Sequence, residues 1–267
     1  MSSQYQSMQI HPALTPYVKS IDVELFHINN NSSVFSYRVL PDFSVVLGFQ
    51  YSGSLYLLEQ EKKIALSSCG ISGLQTQHKV FQPESVKTKT ILVKLYPWSI
   101  NIFFKEDAYH FSNQALSLRE IIDSSLLANV EEQLSLTVDI NLLSNIVQDF
   151  LVRLLNQNHI KKLPSPQIIN IARHISCFDK VNLIEKLANQ HGMSKRHLER
   201  QFKSVIGLSP KQFLRLSQFR KAFEYVQSGV DWERCVENLN YYDQAHFINS
   251  FKEFSGLTPT QLKIIYK

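Results

Sequence analysis

The sequence predicts an α+β chain in two parts: an N-terminal antiparallel β barrel or sandwich followed by helices, then an all-α C-terminal part. Three observations carry that prediction. Residues 1 to 100 alternate apolar and polar side chains between Gly, Asn and Asp punctuation. From about Pro97 onward the apolar residues recur at helical spacing instead. Near the C-terminus one helical unit is used twice, at an offset of 49 residues.

The strand-forming stretches are YVKSIDVELFHI, SYRVLP, FSVVLGFQYSGSLYLL and VKTKTILVKLY, rich in β-branched and aromatic residues. Turns such as Tyr51-Ser52-Gly53 and Cys69-Gly70 separate them, which favours antiparallel packing into a barrel or sandwich. A lumen lined by Arg38, Phe43, Tyr51, Tyr56 and Trp98 would suit a small organic effector, since aromatics with one fixed charge give shape and orientation. The same aromatics also suit an ordinary core.

The clearest helical runs that follow are SLREIIDSSLLANVEEQL and VDINLLSNIVQDFLVRLLNQ. In the second, Ile140, Leu143, Ile146 or Val147, Phe150 or Leu151 and Leu154 make one broad apolar stripe. That stripe can pack on its own barrel or against a twin in a homodimer. Lys161-Lys162-Leu163-Pro164-Ser165-Pro166 is the proline-punctuated polar stretch between the halves. The expected division is therefore 1–160, a linker at 161–166, and 167–267.

The repeated unit begins with GMSKRHLERQFKSVIGLSP, residues 192 to 210. Ser194 can cap a helix there and Gly207 can close it in a left-handed conformation. Leu198, Phe202 and Val205 or Ile206 would face inward, leaving Lys195, Arg196, Glu199, Arg200 and Lys203 on the outer stripe. In the echo, Leu198 matches Phe247, Phe202 matches Phe251, Lys203 matches Lys252, Gly207 matches Gly256 and Pro210 matches Pro259. A shorter helix precedes each copy, at residues 183 to 190 and about 232 to 239, across a turn at Gly192-Met193 or Asn240-Tyr241-Tyr242. Two short helices joined by a tight turn are a helix-turn-helix. Between the units, Ser209 to about Ser228 predicts a helix about 30 Å long, close to the ~34 Å of one duplex turn.

The charge is split in the same way. From residue 161 onward there are 17 Lys+Arg against 9 Asp+Glu, a balance of +8, while residues 1 to 160 carry 11 against 14. A basic C-terminal part on a mildly acidic N-terminal part fits a polyanion-binding module joined to something that does not bind polyanions. Cys69, Cys177 and Cys235 lack the paired spacing of a zinc site, and His78 and His110 stand alone, so neither a metal nor another cofactor is expected. No apolar run reaches the length of a membrane span and the N-terminus lacks a signal-sequence pattern, so a cytoplasmic protein is expected.

The stretches LANQHGMSKRHLERQFKSVIGLSPKQF and NYYDQAHFINSFKEFSGLTPTQL resemble the double helix-turn-helix domain of AraC/XylS-type transcriptional regulators, over about residues 165 to 266. The resemblance implies two recognition helices entering successive major grooves of double-stranded DNA, an N-terminal cupin-like barrel that senses a small molecule or dimerises, and RNA polymerase as a partner. LPDFSVVLGF and GLQTQHKVF through VKLYPWSINIFF are similar to the N-terminal domain of one subgroup of these regulators. No catalysis is implied. A metal cupin or an alkyl-transfer repair enzyme on the same DNA module would need a ligand cluster or a reactive cysteine, which Cys69 does not provide.

On that basis Arg196 and Arg200 are the expected base readers, because a guanidinium matches the two acceptors of guanine, with Lys195, Lys203 and Glu199 assisting. The equivalent outer positions of the second unit are Gln244, Ala245, His246 and Asn249, with Lys252 near the backbone. That face is the weaker one. The chain has Asn249 where the family often has arginine, Asn240 where it has glycine, Val236 where it has alanine, and Gln218 in place of an arginine of the long helix. The second unit is therefore expected to anchor on phosphates and the first to discriminate sequence. Phe247 and Phe251 are expected in the core, and His246 either on a phosphate or packed beneath its helix.

Overall fold

The computed structural model describes residues 2–27, 36–60, 62–85, 87–157, 164–177 and 183–265. Its N-terminal half holds β1 (Ser2–Ser7), β2 (Val18–His27), β3 (Tyr37–Val39), β4 (Val45–Ser52), β5 (Leu55–Glu59), β6 (Lys62–Ala65), β7 (Cys69–Ser72), β8 (Lys79–Pro83) and β9 (Lys89–Leu95), with a last short strand, β10 (Ala115–Ser117). They form two antiparallel sheets, ordered β1-β2-β9-β4-β7-β10 and β3-β8-β5-β6.

Strand alternation decides what each face of the larger sheet does. Val45, Leu47 and Phe49 on β4 and Ile91, Val93 and Leu95 on β9 are fully buried on one face. The opposite face turns Val46, Gly48, Gln50, Thr90 and Leu92 toward the smaller sheet, where both sheets line a cavity. The buried face is covered by helices α1 (Ile100–Phe104), α2 (Ser124–Leu136) and α3 (Ile140–Gln157), and Phe150 meets Phe49 edge-on with ring centres 5.9 Å apart. The run SLREIIDSSLLANVEEQL divides at Asp123, whose carboxylate accepts from the amides of Ser125 and Leu126 and so starts α2 afresh. On α3, Leu143, Val147, Phe150, Leu151 and Leu154 are buried, so the apolar stripe packs on its own barrel. Gln148 is buried with it and pins the N-terminal segment, accepting from the His11 amide at 2.6 Å.

The C-terminal half is helical: α4 (Pro166–Ser176), α5 (Leu183–Gln190), α6 (Lys195–Ile206), α7 (Pro210–Ser228), α8 (Trp232–Leu239), α9 (Gln244–Ser255) and α10 (Pro259–Ile265). Pro166, placed by sequence at the end of the linker, already occupies the first turn of α4, where a missing amide hydrogen costs nothing. Phe219 on α7 stacks on Phe254 at 5.0 Å and reaches Phe251 at 5.3 Å, so the long helix and the second unit share one core.

Candidate nucleic-acid interface

The two helix-turn-helix units are built by the same local chemistry. In the first, Gly192 takes φ +63° between α5 and α6, and Ser194 caps α6 by accepting from the His197 amide at 3.3 Å. In the second, Asn240 takes the left-handed conformation, φ 56° and ψ 42°, and Asp243 caps α9 by accepting from the His246 amide at 2.7 Å. Asparagine tolerates that region better than other non-glycine residues, so the turn survives without its glycine. Each unit then closes on a glycine at positive φ and restarts with a reciprocal cap. Ser209 and Gln212 exchange side-chain to backbone bonds, as do Thr258 and Gln261.

These caps fix which way α6 and α9 present their side chains. Leu198, Phe202, Val205 and Ile206 are buried on α6, and Phe247, Phe251 and Phe254 on α9. Lys195, Arg196, Glu199, Arg200 and Lys203 are all exposed, as are Gln244, Ala245, His246, Asn249 and Lys252. Lys195 lies 3.7 Å from Glu185 across the turn, an exposed pair that a phosphate can replace at little cost. The Arg200 guanidinium reaches His197 Nδ1 at 3.4 Å, on its own exposed face. His246 packs edge-on against Tyr241, ring centres 5.4 Å apart, while its Nδ1 accepts from the Tyr242 amide at 3.2 Å. In the neutral ring that bond leaves Nε2 as the donor.

Three features escaped the reading by sequence. His197 stands at the offset position of His246, so the repeat itself could have found it. Gln218, standing where the family has an arginine, donates to the Leu239 carbonyl at 2.5 Å and so ties α7 to the end of α8. Tyr242, in the second turn, is 91% exposed beside the start of α9, and only its place in a turn hinted at that.

The N-terminal domain grips both units at the C-terminal ends of α6 and α9. At α6, Ser204 donates to Asp107, Asn101 donates to the Ser204 carbonyl at 3.3 Å and Ser112 donates to the Gly207 carbonyl at 2.8 Å. At α9, Arg38 donates to the Ser255 carbonyl at 2.9 Å and the His78 amide to the Phe254 carbonyl at 2.8 Å. Between them, Phe43 meets Phe213 at 5.0 Å and Asp42 pairs with Arg220 of α7 at 3.7 Å. Burial pushes the Asp42 carboxyl up, but the charges of Arg220 and Lys19 and the Phe43 amide outweigh it and hold it below its usual range.

The effector residues expected from sequence do not come together. Arg38 and Phe43 serve the domain interface just described. Trp98 stacks on Tyr96 with ring centres 4.9 Å apart and lies under the Arg173 guanidinium of α4. Tyr56 carries Lys63 over its ring at 4.0 Å, and Tyr51 is half-buried in the core. None of the five lines the cavity between the sheets, whose wall comes instead from inward-facing residues of both sheets, among them Gly48, Gln50 and Thr90 of the larger and Leu55, Leu57 and Phe81 of the smaller. Among the described residues no cluster of His, Cys, Asp and Glu is placed to hold a metal ion, and no helix is long and apolar enough to cross a membrane. Burial and the neighbouring Glu131 push the Cys69 thiol up to about 12, so it is not a thiolate nucleophile.

Two capped helix-turn-helix units with cationic or polar outer faces, joined by one long helix, define a DNA-binding module. Residues 187–263 match a family model described as a helix-turn-helix domain. With the motif carried by both units, that match supports the resemblance of the C-terminal part to the AraC/XylS-type transcriptional regulators. Among solved structures, the chain is similar to ToxT from Vibrio cholerae at 10% identity, covering 87% of this chain and 98% of that one, with a TM-score of 0.48. It is also similar to the C-terminal domain of AraT, a response regulator from Geobacillus stearothermophilus, at 25% identity, covering 39% of this chain and 88% of that one, with a TM-score of 0.35. No curated protein matches the chain.

Proposed function

We propose that the chain regulates transcription by laying α6 and α9 in successive major grooves of one duplex, with the N-terminal domain setting when it does so. The observation that carries this reading is the matched pair of outer faces, exposed on α6 and on α9 while the inner face of each helix is sealed. The 19 residues of α7 make a spacer of about 28 Å, near the ~34 Å of a duplex turn. Arg196 and Arg200 read base edges, Lys195, Glu199 and Lys203 assist, and Gln244, Ala245, His246, Asn249 and Lys252 mostly anchor the second unit on phosphates.

In the same reading residues 1–160 receive a small effector or form a homodimer, the stretch from 161 up to the start of α4 at Pro166 links the halves, the helices from α4 onward bind DNA, and RNA polymerase is the downstream partner in the cytoplasm. Leu136, Val138 and Leu142, exposed where α2 meets α3, supply the dimer contact. Footprinting of the full chain on a selected site tests the core of the proposal. Two protected groove segments one turn apart, with affinity falling steeply as salt rises, are expected. A single protected segment, or affinity that stays flat with salt, overturns it.

A further inference from the structure

The last turn of α6 carries Lys203, and the N-terminal domain packs directly against that turn. Ser204 donates to Asp107, Asn101 donates to the Ser204 carbonyl at 3.3 Å and Ser112 donates to the Gly207 carbonyl at 2.8 Å. A Cβ at Gly207 would lie 2.6 Å from Ser112 Oγ and 3.0 Å from the Ala108 carbonyl oxygen, so only a glycine lets the two segments approach this closely. The short helical turn Ala108–His110 is thereby fixed beside α6. On it, Tyr109 brings its ring to the Lys203 ammonium, which stands 5.6 Å from the ring centre.

That distance is within the reach of a cation–π contact. The ring is itself held in place. Tyr109 meets His110 edge-on with ring centres 4.2 Å apart, and His110 Nδ1 lies 3.4 Å from the Glu106 carboxylate. Tyr109 is 40% exposed and Lys203 is exposed as well, so the pair stands at the edge of the outer stripe of α6 and not inside the domain contact. Two other cations of that stripe lean on their own helix-turn-helix unit. Lys195 lies 3.7 Å from Glu185 and Arg200 reaches His197 at 3.4 Å. Lys203 is steered from the other domain.

We infer that Tyr109 is a positioning residue for DNA binding: from the N-terminal domain it holds Lys203 over its ring, so that the ammonium is already placed for a phosphate when α6 enters the groove. A lysine side chain is among the most costly to order, and a ring that orders it beforehand removes part of that loss from the binding step. Ring and phosphate do not compete, because an ammonium carries three donors and a ring face covers only one side of it. This role rests on the reading of α6 as a recognition helix proposed above. It makes the N-terminal domain a part of the DNA-binding surface as well as its controller.

The test uses the full chain on a selected duplex, with Tyr109→Ala, Tyr109→Phe, Lys203→Ala and the double alanine variant. Tyr109→Ala should weaken binding about two- to fivefold, the size of an exposed cation–π contact, and Tyr109→Phe, which keeps the ring face, should bind like the parent. Lys203→Ala should lower the slope of log affinity against log salt by about one, and in that background Tyr109→Ala should have no further effect. In Lys252→Ala, at the equivalent position of α9, Tyr109→Ala should keep its full effect. In the free chain, the ε-methylene NMR signal of Lys203 should show an upfield ring-current shift that Tyr109→Ala removes and Tyr109→Phe retains. Equal losses from Tyr109→Ala with and without Lys203, a Tyr109→Phe variant as weak as Tyr109→Ala, or no ring-current shift overturns the positioning role alone if the parent binds duplex. A parent that shows the shift but binds no duplex overturns the regulator reading, and the role of Tyr109 with it.

Discussion

The two helix-turn-helix units share a backbone plan and differ in what they show to solvent. Both are capped by a short polar side chain, broken at the turn by a residue in the left-handed region, and closed by glycine. Yet α6 presents Lys195, Arg196, Arg200 and Lys203, while α9 presents Gln244, Ala245, Asn249 and Lys252 at the same offsets. The chemistry that makes a recognition helix and the chemistry that makes it selective are therefore separable, and the second unit keeps the former with less of the latter. Their inner faces should be equally important to folding. Phe202→Ala and Phe251→Ala, each removing a fully buried ring, should each cost about 3–5 kcal/mol in chemical denaturation. A cost confined to one of them would mean that the units do not share a core.

The turn glycine and the closing glycine of a unit differ in how they meet the N-terminal domain, and Gly207, like Gly256, closes its unit against it. Gly192 and Gly256 both sit at positive φ, +63° and +71°. A Cβ at Gly192 would meet nothing within 4 Å, whereas at Gly256 it would lie 2.2 Å from His78 Cε1. Gly192→Ala should cost about 1–2 kcal/mol from the backbone alone. Gly256→Ala should cost about 1 kcal/mol or more beyond that, and should raise the rate of proteolytic cleavage between the domains. Equal melting shifts for the two would argue that His78 does not hold α9.

The outer faces can be compared directly on DNA. Arg200→Ala should lose about 1–3 kcal/mol on the preferred site and relax selectivity at one base pair. Asn249→Ala should lose less than about 1 kcal/mol, and by the same amount on every sequence. Gel shifts across a panel of single-base variants separate the two patterns. A uniform loss for Arg200→Ala would move that residue onto a phosphate.

What could be read from the sequence follows from how local its cause is. The cap at Ser194, the helix start at Ser209, the stop at Gly207 and the turn at Asn240 depend on a few neighbouring residues, and each stands where the sequence put it. The split of buried and outward residues on α6 and α9 was equally plain, because helical period and the repeat reinforce each other. The barrel was harder. Alternation says that a strand has two faces, but only pairing between β2, β9 and β4 says which one meets the cavity. The aromatics Phe43, Tyr51, Tyr56 and Trp98 looked like a lumen, and the polar row Glu24, Thr90 and Gln50 did not. The grip of Arg38 on Ser255 spans more than two hundred residues, and no local pattern announces a bond of that reach.

The smallest expected effect concerns the same grip. Burial disfavours the charged His78 ring, and Arg38 and Lys79 disfavour it further, so its pKa in the folded chain lies below the ordinary 6.5 despite a bond with the Phe254 backbone. Lys79 is itself paired with Glu59, and Arg38 donates to Ser255, so both cations stay close to the ring. A depressed folded pKa means that the unfolded chain takes up the proton first as pH falls. The stabilisation is then fully present above about 6.5 and is lost as pH drops through the folded value. Melting temperature should accordingly fall between pH 7 and pH 5, and His78→Gln, which cannot titrate, should flatten part of that slope. The grip on α6 through Ser112 and Gly207 has no titrating group in its hydrogen bond, so Ser112→Ala should lower the melting curve without changing its dependence on pH. A slope unaltered by His78→Gln would place the titration elsewhere and leave the hold on α9 as indifferent to pH as the hold on α6.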